Sequence, residues 1–262
     1  MEIYPLGVWA LSTVGETTSF MVDTGASRLM MDVGLNPGRS LTEHTVPLTT
    51  ITHIFLSHCH SDHMQGFANL VFTRDVQQRQ YGPAPSLKVL ASAEDLARAE
   101  NLLQIFYPER TFDISWQTVE PGAAVGLGPC ELEFFPTDHT VPGLGLVLRQ
   151  GLERTKMLVY SSDTAPCEAL REAAATAHTL VGECFGTQKD FGPIAGRLKH
   201  MCAEDLAEVA EAAGVRRILP FHLQAPYASD ARRSELIDAI RSRFSGEVLD
   251  PVPSRPIELI LG

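Results

Sequence analysis

Within six residues, His58, His60, Asp62 and His63 place three imidazoles and a carboxylate on one short segment, Ser57-His58-Cys59-His60-Ser61-Asp62-His63. The run before it, Ile51-Thr52-His53-Ile54-Phe55-Leu56, is β-branched and apolar and reads as a strand. Residues two apart in an extended chain point to the same side, so His58 and His60 face one way. Asp62 and His63 follow where the chain turns and approach from another angle. Nitrogen and oxygen donors in this mix suit a borderline cation such as zinc.

One segment cannot close such a site alone, which makes distant ligands necessary. His139, Asp163 and His222 each stand just past an apolar run, in Thr137-Asp138-His139-Thr140, Ser161-Ser162-Asp163-Thr164 and Leu219-Pro220-Phe221-His222. Taken singly, a strand-end aspartate caps the next helix and a lone histidine is structural. Their shared position at strand ends makes all three ligand candidates. His44, His53 and His178 have no partners at ligand spacing and read as structural or surface residues. Cys59, on the far side of an extended segment, is expected to pack inward. Arg232 and Arg233 read as a solvated face, and Pro226-Tyr227 as a border of the pocket.

The elements that must position these residues alternate along the chain. Short strands are predicted at residues 19–22, 29–32, 51–56, 131–135, 146–149, 157–160, around Leu180-Val181, and at 217–220. Helices are predicted at 93–107, ending before Pro108; at 166–177, opened by Pro166; at 203–213, closed by Gly214; and from Ser229 or Asp230 to about Phe244. Strands dominate early and mix with helices later. This order suits two sheets with helices outside, and also allows an open α/β sheet.

The HxHxDH segment followed by a lone His139, Asp163 and His222 resembles the metallo-β-lactamase superfamily, over roughly residues 29–222. The resemblance implies an α/β fold, a four-layer αβ/βα sandwich, formed here by residues 1–262 as one domain. It implies two divalent metal ions, with zinc favoured and manganese or iron as alternatives. His58, His60 and His139 would hold one ion, Asp62, His63 and His222 the other, and Asp163 would bridge them. Asp32 would steady the ligand loop from behind. A carboxylate at position 163, the stretch Leu180-Val181-Gly182-Glu183-Cys184-Phe185, and Lys199-His200-Met201-Cys202-Ala203 are similar to the ribonuclease Z-like branch. By that resemblance Asp62, His200 and Glu183 are catalytic, with His200 protonating the leaving group and Glu183 orienting it.

Departures from that branch point away from tRNA. Only about two dozen residues separate His139 from Asp163, barely enough for two strands and a turn. No basic arm fits there. The start, Pro5-Leu6-Gly7-Val8-Trp9-Ala10, lacks a basic loop for tRNA ends. The formal charge, 21 Lys+Arg against 32 Asp+Glu or −11, is the wrong sign for broad attraction to nucleic acid. Two divalent ions would still reverse the field locally for a small anion.

With 44% hydrophobic and 20% charged residues, the composition is that of a globular chain. No apolar stretch is long enough to span a bilayer, and no signal-peptide pattern opens the chain. Five scattered cysteines do not form a disulfide framework, so a cytoplasmic protein with reduced thiols is expected. The leading expectation is hydrolysis of a small phosphodiester, such as a cyclic nucleotide or related ester, by hydroxide shared between two metals. Alternatives are a thioester, lactone, β-lactam or sulfate ester; tRNA 3′ processing and a non-catalytic binding role stand behind these. The branch is often dimeric, which implies a homodimer by resemblance only.

Overall fold

A computed structural model describes residues 1–110, 112–252 and 256–259. The strands, in chain order, are β1 (Glu2–Gly7), β2 (Ser19–Asp23), β3 (Arg28–Met31), β4 (His53–Phe55), β5 (Leu87–Ala91), β6 (Ile114–Thr118), β7 (Ala124–Leu127), β8 (Cys130–Pro136), β9 (Leu144–Gln150), β10 (Thr155–Tyr160), β11 (Thr179–Glu183), β12 (Arg217–Phe221), β13 (Glu247–Val248) and β14 (Ile257–Glu258). They build two seven-stranded sheets, ordered β14-β1-β2-β3-β4-β5-β6 and β13-β12-β11-β10-β9-β8-β7. In each sheet an antiparallel part gives way to a parallel one: β3 to β6 are parallel, as are β10 to β13.

The helices are α1 (Pro37–Glu43), α2 (Ser61–Met64), α3 (Phe67–Tyr81), α4 (Ala93–Phe106), α5 (Glu168–Ala174), α6 (Gln188–Leu198), α7 (Ala203–Ala212) and α8 (Asp230–Arg241). Strand alternation decides the layering. Phe55 and Leu90 face the other sheet, in a core with Phe20, Phe134, Leu146 and Phe221. Their neighbours Ile54 and Val89 face outward onto Phe67, Val71, Leu96 and Leu103 of α3 and α4. Val181 and Leu219 point between the sheets, while Leu180 and Ile218 meet Leu206 and Ala210 of α7 and Leu236 of α8. The result is the expected αβ/βα four-layer sandwich.

The parallel strands carry their C-terminal ends to one edge, and the loops leaving that edge hold the chemistry. β9 and β10 are joined by a tight turn, with Gln150 opposite Thr155, so the space between His139 and Asp163 holds two strands and nothing more.

Two expected boundaries move. Ala165 donates to the carbonyl of Asp138 and keeps the chain extended past Pro166, so α5 starts at Glu168. It stops at Ala174 because Thr176 turns left-handed. Among unforeseen elements, α3 buries Arg74 and Asp75 on its inner face, and α6 contains Gly192, Pro193 and Gly196. The first lacks the amphipathic pattern that signals a helix, and the second hides one behind two glycines and a proline that read as breakers.

Candidate metal centre

The segment after β4 rests on a floor without side chains. A Cβ on Gly34 would stand 2.3 Å from the carbonyl oxygen of Asp62, and one on Gly66 would stand 2.0 Å from that of Gly34. Val33 donates to the His63 carbonyl at 2.7 Å, which fixes the segment to the end of β3. The chain bends at Cys59, so this thiol is half-buried; it is not packed inward as the extended reading expects.

Asp32, buried and left-handed at φ 59°, is the hub beneath the loop. It accepts from the backbone N–H and hydroxyl of Ser57, each at 2.7 Å, from His63 Nδ1 at 2.7 Å, and from the Tyr160 hydroxyl at 2.5 Å. The single Ser57 hydroxyl hydrogen goes to Asp32, so Ser57 Oγ accepts from His58 Nδ1 at 3.0 Å. His139 Nδ1 donates to the Lys199 carbonyl at 3.3 Å. Those bonds place the hydrogens of His58, His63 and His139 on Nδ1 and leave each Nε2 as a lone pair.

These lone pairs converge. His58 Nε2 and His139 Nε2 each stand 3.2 Å from His60 Nδ1. His63 Nε2 and Asp163 Oδ1 are 3.3 Å apart, yet both are buried without a hydrogen-bond partner. His222 Nε2 faces Asp62 Oδ2 and Asp163 Oδ2, both at 3.1 Å. Ligand atoms of His58, His60, His139 and Asp163 lie within 4.8 Å of one another, and so do those of Asp62, His63, Asp163 and His222. Buried imidazole and carboxylate donors aimed at common points, with Asp163 shared, fit a pair of divalent cations.

Charge balance agrees. Burial pulls His58 well below the usual imidazole range, with His63 adding to the effect. Burial lowers His139 to about 4 against the pull of Asp163. Both rings therefore stay neutral, as ligands must. Burial opposes charge on His63, but Asp163 and Asp32 override it and raise this ring well above its ordinary value. Their field favours a positive charge at Nε2, a place that a bound cation would take in exchange for a proton. For Asp163 burial is outweighed by His222 and His63, which hold its carboxyl well below the usual range.

Beside this centre, His200 Nδ1 bonds Glu183 Oε1, and Glu183 Oε2 accepts the backbone N–H of Thr164. His200 Nδ1 lies 4.0 Å from Asp163 Oδ2. Asp163, Glu183, His200 and His222 form a third cluster of donor atoms, overlapping the second. Burial, with the Asp163 charge, raises Glu183 well above its ordinary value, and burial lowers His200.

The seven ligand candidates, His200 and Glu183 thus meet at one edge, with Asp32 beneath them. Tyr160, Phe185 and the carbonyl of Lys199 were not singled out; nothing in residue type announces them. Tyr227, expected at the pocket border, is buried, with its hydroxyl bonded to Thr187 N–H and Asp190. Arg232 is engaged by Asp190 and Glu235, and Arg233 by Asp230. His53 and His178 bond the neighbouring Thr52 and Thr179 hydroxyls, and His44 meets the edge of Tyr4. No described helix is long and apolar enough to cross a membrane.

Residues 18–223 match the family model described as a beta-lactamase superfamily domain. The chain is 29% identical to a ribonuclease Z from Ignicoccus hospitalis, over 78% of this chain and 80% of that one. That alignment runs over 253 positions while using about 204 residues of this chain, so about 49 positions of the alignment have no counterpart here. The short form of human tRNase Z superposes with a TM-score of 0.79 at 14% identity, covering 100% of both chains. A diphosphatase of the PhnP family superposes with a TM-score of 0.74 at 15% identity, covering 99% of this chain and 98% of that one.

Proposed function

The chain belongs to the metallo-β-lactamase superfamily, as a ribonuclease Z-like metal-dependent hydrolase, and on that premise we propose that it hydrolyses a small phosphodiester. The observation that carries this reading is the hydrogen-bonded pair His200–Glu183 set beside Asp163, the carboxylate shared by both ligand groups.

His58, His60, His139 and Asp163 would hold one ion, and Asp62, His63, Asp163 and His222 the other. Two divalent ions, zinc by the donor set, supply an activated water and neutralise charge on the phosphoryl group. Asp62 is partly exposed, and its Oδ2 is held by His222 Nε2. Burial raises this carboxyl, but His222 and His63 keep it below its ordinary value, so it is ionised and orients the attacking water. With Nδ1 engaged by Glu183, only Nε2 of His200 is free to deliver a proton to the departing oxygen. The pair must then hold two protons, one between Oε1 and Nδ1 and one on Nε2, as the raised Glu183 favours. An alkoxide leaves poorly without such a proton, whereas a lactam opened on metal does not require this pair. That chemistry favours a phosphodiester over the thioester and β-lactam alternatives; lactones and sulfate esters also release an oxygen and are separated by the substrate screen.

A small substrate fits better than tRNA. The turn between β9 and β10 has no room for an arm, and the net charge is −11.

The test is metal content and turnover of bis(p-nitrophenyl) phosphate by wild type, His60→Ala and Asp163→Ala, followed by a screen of cyclic nucleotides, thioesters, lactones, lactams and sulfate esters. Undiminished turnover in either variant, or turnover confined to acyl or sulfate substrates, overturns the reading.

A further inference from the structure

His200 is held by more than its carboxylate partner. Its ring stacks on Phe185, with centroids 4.6 Å apart and planes 16° apart, and on His222, at 4.9 Å and 25°. Phe185 and His222 are themselves only 5.9 Å apart, tilted by 32°. Three centroids at these separations form a triangle and not a column. Phe185 and His222 therefore lie side by side, and His200 rests across the seam between them.

Two constraints on an imidazole are separable. A hydrogen bond at Nδ1 fixes rotation within the ring plane; a flat surface beneath fixes the tilt of that plane. Glu183 supplies the first. Half of the platform is His222, a candidate ligand whose own plane is set by what it ligates. The other half, Phe185, has no ligand atom and no partner in the chemistry.

Phe185 is braced from behind. It is buried in a small cluster with Ala195 and Cys202, and the Phe191 ring meets it edge-on at 5.7 Å. Its N–H donates to the Met201 carbonyl at 2.8 Å, which ties it to the segment carrying His200. Ala195 is the one buried residue of α6 among those described, a helix that also contains Gly192, Pro193 and Gly196. Such a sequence is a poor helix former on its own. What α6 contributes inward is the backing of Phe185.

We propose that Phe185 is a positioning residue that sets the plane of the His200 ring, and through it the direction in which Nε2 delivers its proton. Catalytic groups work only when held to within about 10–20°, and a leucine of similar bulk has no flat face to impose that limit. The proposal rests on the reading of His200 as the proton donor.

The experiment uses the zinc-loaded full chain and compares Phe185→Leu, Phe185→Tyr and His200→Ala on two phosphodiesters, one leaving as p-nitrophenolate and one as an unactivated alkoxide. General acid catalysis typically contributes about 10²–10⁴-fold, so a misdirected acid should lose about tenfold or more of kcat on the alkoxide. The p-nitrophenolate substrate should change less than about threefold, with metal content intact. Phe185→Tyr, which keeps the ring, should retain the wild-type ratio between substrates. The His200 ring protons, shielded by Phe185 in the wild type, should move downfield in the nuclear magnetic resonance spectrum of Phe185→Leu. An equal loss on both substrates, or no loss, with His200→Ala still selective for the alkoxide, overturns the role of Phe185 alone. A His200→Ala variant without that selectivity overturns the donor reading and this proposal together.

Discussion

His139 Nδ1 donates to the carbonyl oxygen of Lys199 across 60 residues of sequence, at 3.3 Å. That bond sets which nitrogen of His139 faces the first ligand group. It exists because Lys199, at the end of α6, adopts a left-handed conformation with φ 59° and ψ 51°. Glycine adopts this conformation freely, whereas a β-branched residue pays about 1–3 kcal/mol of strain. The side chain matters less, since the ion pair of Lys199 Nζ with Asp138 joins two half-exposed groups. Lys199→Gly should therefore keep the metal affinity of the first group within about threefold. Lys199→Val should weaken it by about tenfold or more, in the range seen when a ligand loses its supporting hydrogen bond. Competition with a chelating dye measures both, and equal affinities would remove the carbonyl from the site's support.

The four donors gathered on Asp32 lead to a second outcome. An asparagine there offers one acceptor oxygen and two hydrogens where only acceptance is needed. Asp32→Asn should lower metal affinity by about 10–100-fold. Tyr160→Phe removes a single donor from this buried carboxylate and should cost about 1.5–3 kcal/mol in urea unfolding with an unchanged m-value. A Tyr160→Phe protein as stable as wild type would show that Asp32 does not depend on it.

What could be read in advance follows from where the information lies. The ligands were legible because each is a side chain at the end of an apolar run, and four of them share one segment. Asp163 and His222 are far apart in sequence, but parallel strands deliver their ends to one edge, so position relative to a strand was enough. The Lys199 carbonyl was not legible, since backbone groups look alike at every residue. Phe185 reads as one more core aromatic until its neighbours are known. The helix α3 escaped because Arg74 and Asp75 lie on its buried face, which erases the polar–apolar contrast.

That buried pair of residues yields a pH signature. Tyr107 donates to Asp75, which also accepts from Arg79 and Gln78. Burial, then the Asp75 bond, pushes the Tyr107 phenol up from 10.0 to about 12. The folded state therefore holds this proton more tightly than the unfolded chain. The associated stability is complete below pH 10 and is lost as pH rises from 10 towards about 12. Tyr107→Phe should be destabilised by a constant amount between neutrality and pH 9, and the gap to wild type should shrink above pH 10. A gap that stays constant through that range would show that Tyr107 is not held as a donor.

Ligand removal should separate the two groups. His139 belongs to the first group alone, whereas Asp163 belongs to both. Ions that bind the folded state and not the unfolded chain raise stability by about 2.7 kcal/mol at a hundredfold excess over Kd. Zinc should therefore raise the Tm of the wild type, and a chelator should reverse the shift. His139→Ala should retain about one equivalent of metal and part of that shift, because Asp62, His63, Asp163 and His222 remain in place. Asp163→Ala should lose most of both. The buried rings of His63 and His222 would then face a cavity without the carboxylate that favours a cation there. Two equivalents of zinc retained by Asp163→Ala would mean that the ligand groups do not share this residue.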